Sequence, residues 1–214
     1  MQQIYNKFVA KMDSTFQLVE QQVAAMEKGQ VFFPDSFATL GSSQAVRSAL
    51  TRMVKVGKIT RIAQGIYCVP KVDEKWGFGT LMPSLKEIAK AIAQRDRVQI
   101  VPCEDYVLNL LGLSTQVPAN AVFVTNGSPR RINVGGGKGI LFQHSSEMRI
   151  FAYQSELMQF IVMAMRAVGE GKVTDEQMAV IGEHLAKVAD DEFEHDINLA
   201  PVWVRTMLEI WRRK

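Results

Sequence analysis

The sequence predicts an α+β chain: an N-terminal winged helix-turn-helix, then a mixed α/β domain whose C-terminal part is helical. Three observations carry this. Ser36 to Pro70, SFATLGSSQAVRSALTRMVKVGKITRIAQGIYCVP, reads as a short helix, a Gly-centred turn, a longer helix and a β-hairpin closed by a Gly turn. Residues 80–146 mix helical and strand patterns, and from Leu157 onward the patterns are helical. The expected division is 1–75 for the first domain and 76–214 for the second, with 80–150 mixed and 151–214 helical.

In order, residues 1–13 have mixed composition and no strong anchor. From Ser14 to Lys28, Phe16, Val19, Val23 and Met26 recur at spacings of three and four, an amphipathic helix stopped at Gly29. Val31-Phe32-Phe33 is a short β-prone run before Pro34. Asp35 or Ser36 is the expected cap of a second helix ending at Gly41. Ser42 or Ser43 caps a third helix, which Gly57 ends. Val46, Leu50, Met53 and Val54 form its inward stripe. The hairpin strands are Ile59–Ile62 and Ile66–Val69, with Gly65 in a three-residue loop.

Lys71 to Gly79 (KVDEKWGFG) breaks the pattern and reads as a linker. Ser84 with Glu87 is a capping box opening a helix to about Arg95. A strand follows at Arg97–Val101, then a helix from Glu104 to Leu111 ended by Gly112. Ala121–Thr125 is a strand, and Arg130–Val134 with Gly139–Gln143 form a hairpin. Leu157–Ala167 is a buried helix, and Thr174 with Gln177 caps another running to about Val188. Pro201 starts the last helix, whose apolar stripe is Trp203, Met207, Ile210 and Trp211.

At 214 residues the chain has room for two small domains with separate cores. The net charge of +3 is mild, but its distribution is not. From Ser36 to Val72 there is no acid, against six cations: Arg47, Arg52, Lys55, Lys58, Arg61 and Lys71. Between Lys172 and Asp196 eight acids face two lysines. Opposite fields on the two parts point to two jobs. Cys68 and Cys103 form no CxxC pair, which fits a reducing cytosol. The N-terminus has no apolar core of signal-peptide length. Leu157–Val168 is too short to span a bilayer and contains Arg166. These features lead to the expectation of a cytoplasmic chain with no membrane partner.

On the third helix Gln44, Arg47, Ser48, Thr51 and Lys55 share one outward face, with Arg52 on its flank. Amides, hydroxyls and guanidinium groups on one helical face match the donors and acceptors of base edges in the major groove. Ser42 and Ser43 stand at the start of this helix. Lys58, Arg61 and Gln64 lie on or near the hairpin tip, where a wing meets phosphate or the minor groove. The expected partner is therefore double-stranded DNA, met by Gln44, Arg47, Ser48, Thr51, Arg52, Lys55, Lys58, Arg61 and Gln64. A solvated helix face is the alternative that the helix alone leaves open.

Other groupings carry less chemistry. Gly135-Gly136-Gly137-Lys138-Gly139 lacks the hydroxyl residue and spacing of a P-loop and joins two strands, so it reads as a hairpin tip. Glu192, His195 and Asp196 are close in sequence, but His144, His184 and His195 form no HxxxH or HExxH spacing. A charged, solvated face near a helix end accounts for them. Neither the cysteines nor Ser145-Ser146 has a sequence-local base. The chain is read as non-enzymatic, with no cofactor, no metal and no catalytic residues.

The run Gly57–Tyr67 (GKITRIAQGIY), following Ser42–Leu50 (SSQAVRSAL), resembles the N-terminal winged helix of AbiEi-type antitoxins. Leu111–Pro118 (LGLSTQVP) and Val122–Arg131 (VFVTNGSPRR) resemble the second domain of the same group. The resemblance implies a bacterial transcriptional autorepressor that binds inverted promoter repeats, and it extends the DNA role to Ser42 and Ser43; a homodimer on the DNA is the expected assembly. It also implies a C-terminal domain that counteracts a nucleotidyltransferase toxin, for which no residues carry over. Two other readings remain open: a winged-helix regulator whose second domain binds an effector or dimerises without a toxin, and a protein-interaction module.

Overall fold

The computed structural model describes residues 14–73 and 79–213. The expectation for residues 1–13 and the middle of the 71–79 stretch lie outside the described residues. The chain is mixed α+β and divides into two compact units, Met1–Ala91 and Ile92–Lys214.

The first unit opens with α1 (Thr15–Ala24), whose N-cap is a capping box: Ser14 Oγ accepts from Gln17 N–H while Gln17 Oε1 accepts from Ser14 N–H. Strand β1 (Val31–Phe32) follows. The expected second helix is only a 3-10 turn, Pro34–Phe37, with no side-chain cap from Asp35 or Ser36. Pro34 fixes the first position, and the segment between it and Gly41 is too short to propagate an α-helix. Helix α2 (Ser43–Lys55) is capped by Ser42, whose hydroxyl accepts from Ala45 N–H. Gly57, at φ +72°, turns the chain after it.

Strands β2 (Thr60–Ala63) and β3 (Ile66–Cys68) pair antiparallel, and β1 adds to the other side of β3. The loop between β2 and β3 has two residues rather than three. The extra residue of the expected loop is taken into the ladder, whose register shifts between Arg61 and Ala63. The core gathers Val19 and Val23 of α1, Phe32, Phe37, Val46, Ala49, Leu50 and Met53 of α2, Ile59 and Tyr67. Phe32 stacks on Tyr67 at 5.9 Å and meets Phe37 edge-on at 5.7 Å.

The stretch read as a linker instead contributes strands on both sides: β4 (Lys71–Asp73) and β5 (Gly79–Leu81) pair antiparallel. Helix α3 (Leu85–Asp96) opens on the Ser84–Glu87 capping box, whose hydrogen bonds hold the Glu87 carboxyl below its usual value. The division between the units falls inside α3, further along the chain than the expected boundary.

The second unit contains β6 (Ile100–Pro102), α4 (Glu104–Leu110), β7 (Asn120–Thr125), β8 (Arg130–Gly135) and β9 (Lys138–His144). Its sheet has the order β6-β7-β9-β8, with β7 and β9 parallel and the outer pairs antiparallel. Phe123 of β7 stacks on Phe142 of β9 at 5.9 Å and meets Tyr106 of α4 at 5.3 Å. Helix α5 (Glu156–Val168) is buried over most of its length, from Met158 through Met165. It packs with α6 (Asp175–Leu185), α7 (Asp190–Asp196) and α8 (Val202–Arg212) around one apolar cluster. Thr174 and Gln177 form the expected capping box of α6.

The C-terminal part is helical as expected, and its acidic end forms a separate short helix, α7, not singled out by the pattern because its seven residues include a single large apolar one, Phe193. The apolar stripe expected on the last helix needs correction. The inward face of α8 is Val204 and Leu208, flanked by half-buried Trp203, Met207 and Trp211, while Ile210 is 56% exposed. Among the described residues, no helix is long and apolar enough to cross a membrane.

Candidate nucleic-acid interface

Helix α2 separates its side chains cleanly. Val46, Ala49, Leu50 and Met53 are buried, and Val54 is half-buried, so Ala49 belongs to the inward stripe alongside the residues expected there. Opposite them Gln44, Arg47, Ser48, Thr51 and Lys55 are all exposed. The 3.6-residue period makes this separation: positions 44, 47, 48, 51 and 55 wind up one side of the helix. Ser43, Gln44, Arg47, Ser48, Thr51 and Arg52 line one open depression along it.

The remaining sequence-derived positions, Ser42, Ser43, Arg52, Lys58, Arg61 and Gln64, are exposed as well. Gln64 sits beside Gly65, whose φ of +71° makes the tight turn of the β2–β3 hairpin. Thus all eleven positions face solvent on α2 or its N-cap, on the turn after it, or on the hairpin.

Their side chains are not equally available. The Thr51 hydroxyl donates back to the Arg47 carbonyl at 2.8 Å. Arg61 Nε donates to the Ala63 carbonyl at 3.3 Å. The Arg52 guanidinium lies over the Phe16 ring, 4.7 Å from its centroid. Lys58 Nζ pairs with the Glu20 carboxylate. Phe16 and Glu20 both belong to α1, outside the acid-free segment, and sequence reasoning confined to 36–72 missed them. The periodicity that brings Phe16 and Glu20 to one side of α1 was visible, but not which cations they would meet.

Elsewhere, the groups considered for chemistry have structural work. Among the described residues, no group of three or more His, Cys, Asp or Glu is arranged to hold a metal ion. Burial pushes the Cys68 thiol up, and burial with the nearby Glu104 charge pushes Cys103 up to about 12. Both therefore stay protonated thiols at neutral pH. His144 Nδ1 lies 2.9 Å from the Gly127 carbonyl and His184 Nε2 lies 2.9 Å from that of Leu111.

Asp196 corrects the reading of Glu192, His195 and Asp196 as a solvated face. It is 0% exposed and accepts from the backbone N–H groups of Gln154 and Ser155 at 2.9 Å each. The glycines 135–137 have φ of +92°, +59° and +73°, with open space where each Cβ would stand. They close the β8–β9 hairpin as expected.

Among functionally curated proteins no sequence matches this chain. The crystal structure of the RV2827C protein from Mycobacterium tuberculosis is similar at 10% identity and a TM-score of 0.43, covering 91% of this chain and 74% of that one. A family model described as a family of unknown function, DUF6088, matches residues 18–193. That span takes in α2, its hairpin and most of the second unit, and the chain belongs to this family.

Proposed function

We propose that the protein is a cytoplasmic, non-enzymatic transcriptional regulator that binds double-stranded promoter DNA through its first unit. In this reading the first unit works as a winged helix-turn-helix, with α2 as recognition helix and the β2–β3 hairpin as wing. One observation carries it: α2 presents a continuous exposed row of amide, guanidinium, hydroxyl and ammonium groups, and buries the opposite face. Such a row supplies the donors and acceptors that base edges match, and its cations meet phosphate.

With Arg52 and Lys58 engaged by α1, Arg47, Lys55 and Arg61 are the cations of α2 and the hairpin without such an engagement. Three phosphate contacts give a slope of about −3 for log K against log salt. The test is titration of the purified chain against its own promoter duplex at several salt concentrations. Binding with that slope supports the reading, and no shift of promoter DNA at low salt overturns it.

The resemblance to AbiEi-type antitoxins extends the proposal. The regulator represses its own promoter as a homodimer on inverted repeats, and its second unit counteracts a nucleotidyltransferase toxin encoded beside it. Co-expression with the neighbouring reading frame tests this part separately. Rescue from a toxic neighbour supports it, and a harmless neighbour leaves a regulator without a toxin.

A further inference from the structure

We propose that Glu20 sets the DNA affinity of the first unit by withholding Lys58 from the phosphates. This rests on the DNA-binding reading and adds to it a residue that lies outside the interface.

The acid-free stretch from Ser36 to Val72 suggests a patch with nothing to oppose its six positive charges. The fold supplies an opposing charge from elsewhere. Helix α1 packs on α2, and its Glu20 carboxylate pairs with Lys58 Nζ across 38 residues of sequence. The same helix places Phe16 beneath the Arg52 guanidinium. Two of the six cations are thus tied to α1.

The pair stands at the surface, with the Glu20 and Lys58 side chains 30% and 55% exposed. A phosphate approaching Lys58 meets a neutralised ammonium and a neighbouring carboxylate, so contact releases little counterion. Glu20 touches no DNA in this account. It is a positioning residue that acts through Lys58.

Exposed ion pairs add little to stability, so replacing Glu20 leaves the fold in place. What changes is the number of phosphates engaged. Removing the carboxylate frees Lys58, adds about one phosphate contact and steepens the salt slope by about 0.9.

The experiment compares the full chain with E20Q, K58A and E20Q/K58A, each titrated with the promoter duplex across a salt series. Thermal unfolding of the same samples checks that all four share one fold. The expected E20Q slope moves from about −3 to about −4, with affinity up roughly three- to ten-fold at low salt. K58A alone gains no phosphate contact and leaves the Glu20 carboxylate uncompensated, so its slope stays near about −3 while its affinity falls, and E20Q/K58A restores both to about the wild-type values. An unchanged slope in E20Q overturns the proposal, as does a full unit of slope lost in K58A alone. A wild-type chain that binds no duplex overturns the DNA reading and this inference together, whereas salt-dependent wild-type binding with an inert E20Q overturns this inference only.

Discussion

Asp196 holds Ser155 in place. The Asp196 carboxylate is wholly buried, and its two oxygens take the backbone N–H groups of Gln154 and Ser155, the residues that lead into α5. Ser155 is the N-cap of that helix, its hydroxyl accepting from Met158 N–H at 3.5 Å. The last residue of α7 thereby anchors the start of the most buried helix in the second unit. His195 Nδ1 also reaches Asp196 Oδ1, at 2.8 Å. Burial, with the nearby Asp196 charge adding to it, pushes the phenol of Tyr153 well above its ordinary range.

Asp196→Ala leaves those two N–H donors without their acceptor. A buried unsatisfied donor costs about 1–3 kcal/mol; the Ser155 donor is buried while that of exposed Gln154 can turn to water, so the loss expected is about 1–3 kcal/mol. Asp196→Asn presents an amide N–H₂ to one of the donors and recovers only part of it. Urea unfolding followed by tryptophan fluorescence measures the effect, since two of the three tryptophans, Trp203 and Trp211, report from α8. A loss under about 0.5 kcal/mol for Asp196→Ala, within the ordinary range for a surface substitution, contradicts the anchoring role.

A second carboxylate is expected to make the stability of the second unit depend on pH. Asp96 bonds to Arg95 Nε at 2.7 Å and pairs with Arg130, whose guanidinium also lies over Phe142 at 5.3 Å. Burial alone raises the Asp96 pKa, but the bonds and charges of Arg95 and Arg130 outweigh it and hold the carboxyl below 3.8. A depressed folded-state pKa contributes stability that is present above the unfolded value and lost as pH falls through the folded one. Asp96→Asn should cost about 1–2 kcal/mol at neutral pH and flatten the stability curve from about pH 4 downward. Equal pH dependence in the variant and the wild type, measured by urea midpoints, refutes this assignment.

The features legible in the sequence were those written within a few residues. Ser84 with Glu87 and Thr174 with Gln177 each form the capping box that their spacing promises. The exposed row on α2 follows directly from its 3.6-residue period. What was not legible depends on distant partners. Asp196 reads as one more acid in an acidic run until the backbone of Gln154 and Ser155 folds onto it from about forty residues away. Glu20 lies outside the segment that its carboxylate modifies. The β4–β5 ribbon was missed because Lys71-Val72-Asp73 and Gly79-Thr80-Leu81 are three-residue strands, too short to show alternation.

Gly182 is a packing requirement of the second unit. A Cβ there would stand 1.9 Å from Trp211 Nε1 and 2.4 Å from Cε2, so α6 and α8 meet where only a hydrogen fits. Gly182→Ala would ordinarily favour a helix interior by about 0.8–1.0 kcal/mol. Here it must displace the indole, and a net destabilisation of about 1–3 kcal/mol is expected. Replacing the indole as well, in G182A/W211L, should recover part of the loss relative to W211L alone. Thermal unfolding of the four proteins decides it, and a stabilised G182A would show that the indole moves aside freely.

Under the proposed DNA-binding role, the exposed row of α2 yields a ranking rather than a single effect. Arg47 is free of any ion pair among the described residues and stands mid-row, so Arg47→Ala should cost about 1–3 kcal/mol of promoter affinity and relax base preference if it reads a base. Thr51 lies one turn further along, but its hydroxyl proton is already given to the Arg47 carbonyl. It retains only lone pairs for a ligand. Thr51→Val, which keeps the shape and removes the hydroxyl, should therefore weaken binding less than Ser48→Ala or Gln44→Ala, whose polar groups have no partner within the chain among the described residues. Competition titrations with the promoter duplex and a scrambled one read both affinity and discrimination. If Thr51→Val is the most damaging of the three, the hydroxyl turns away from the Arg47 carbonyl when DNA binds, and the ranking fails.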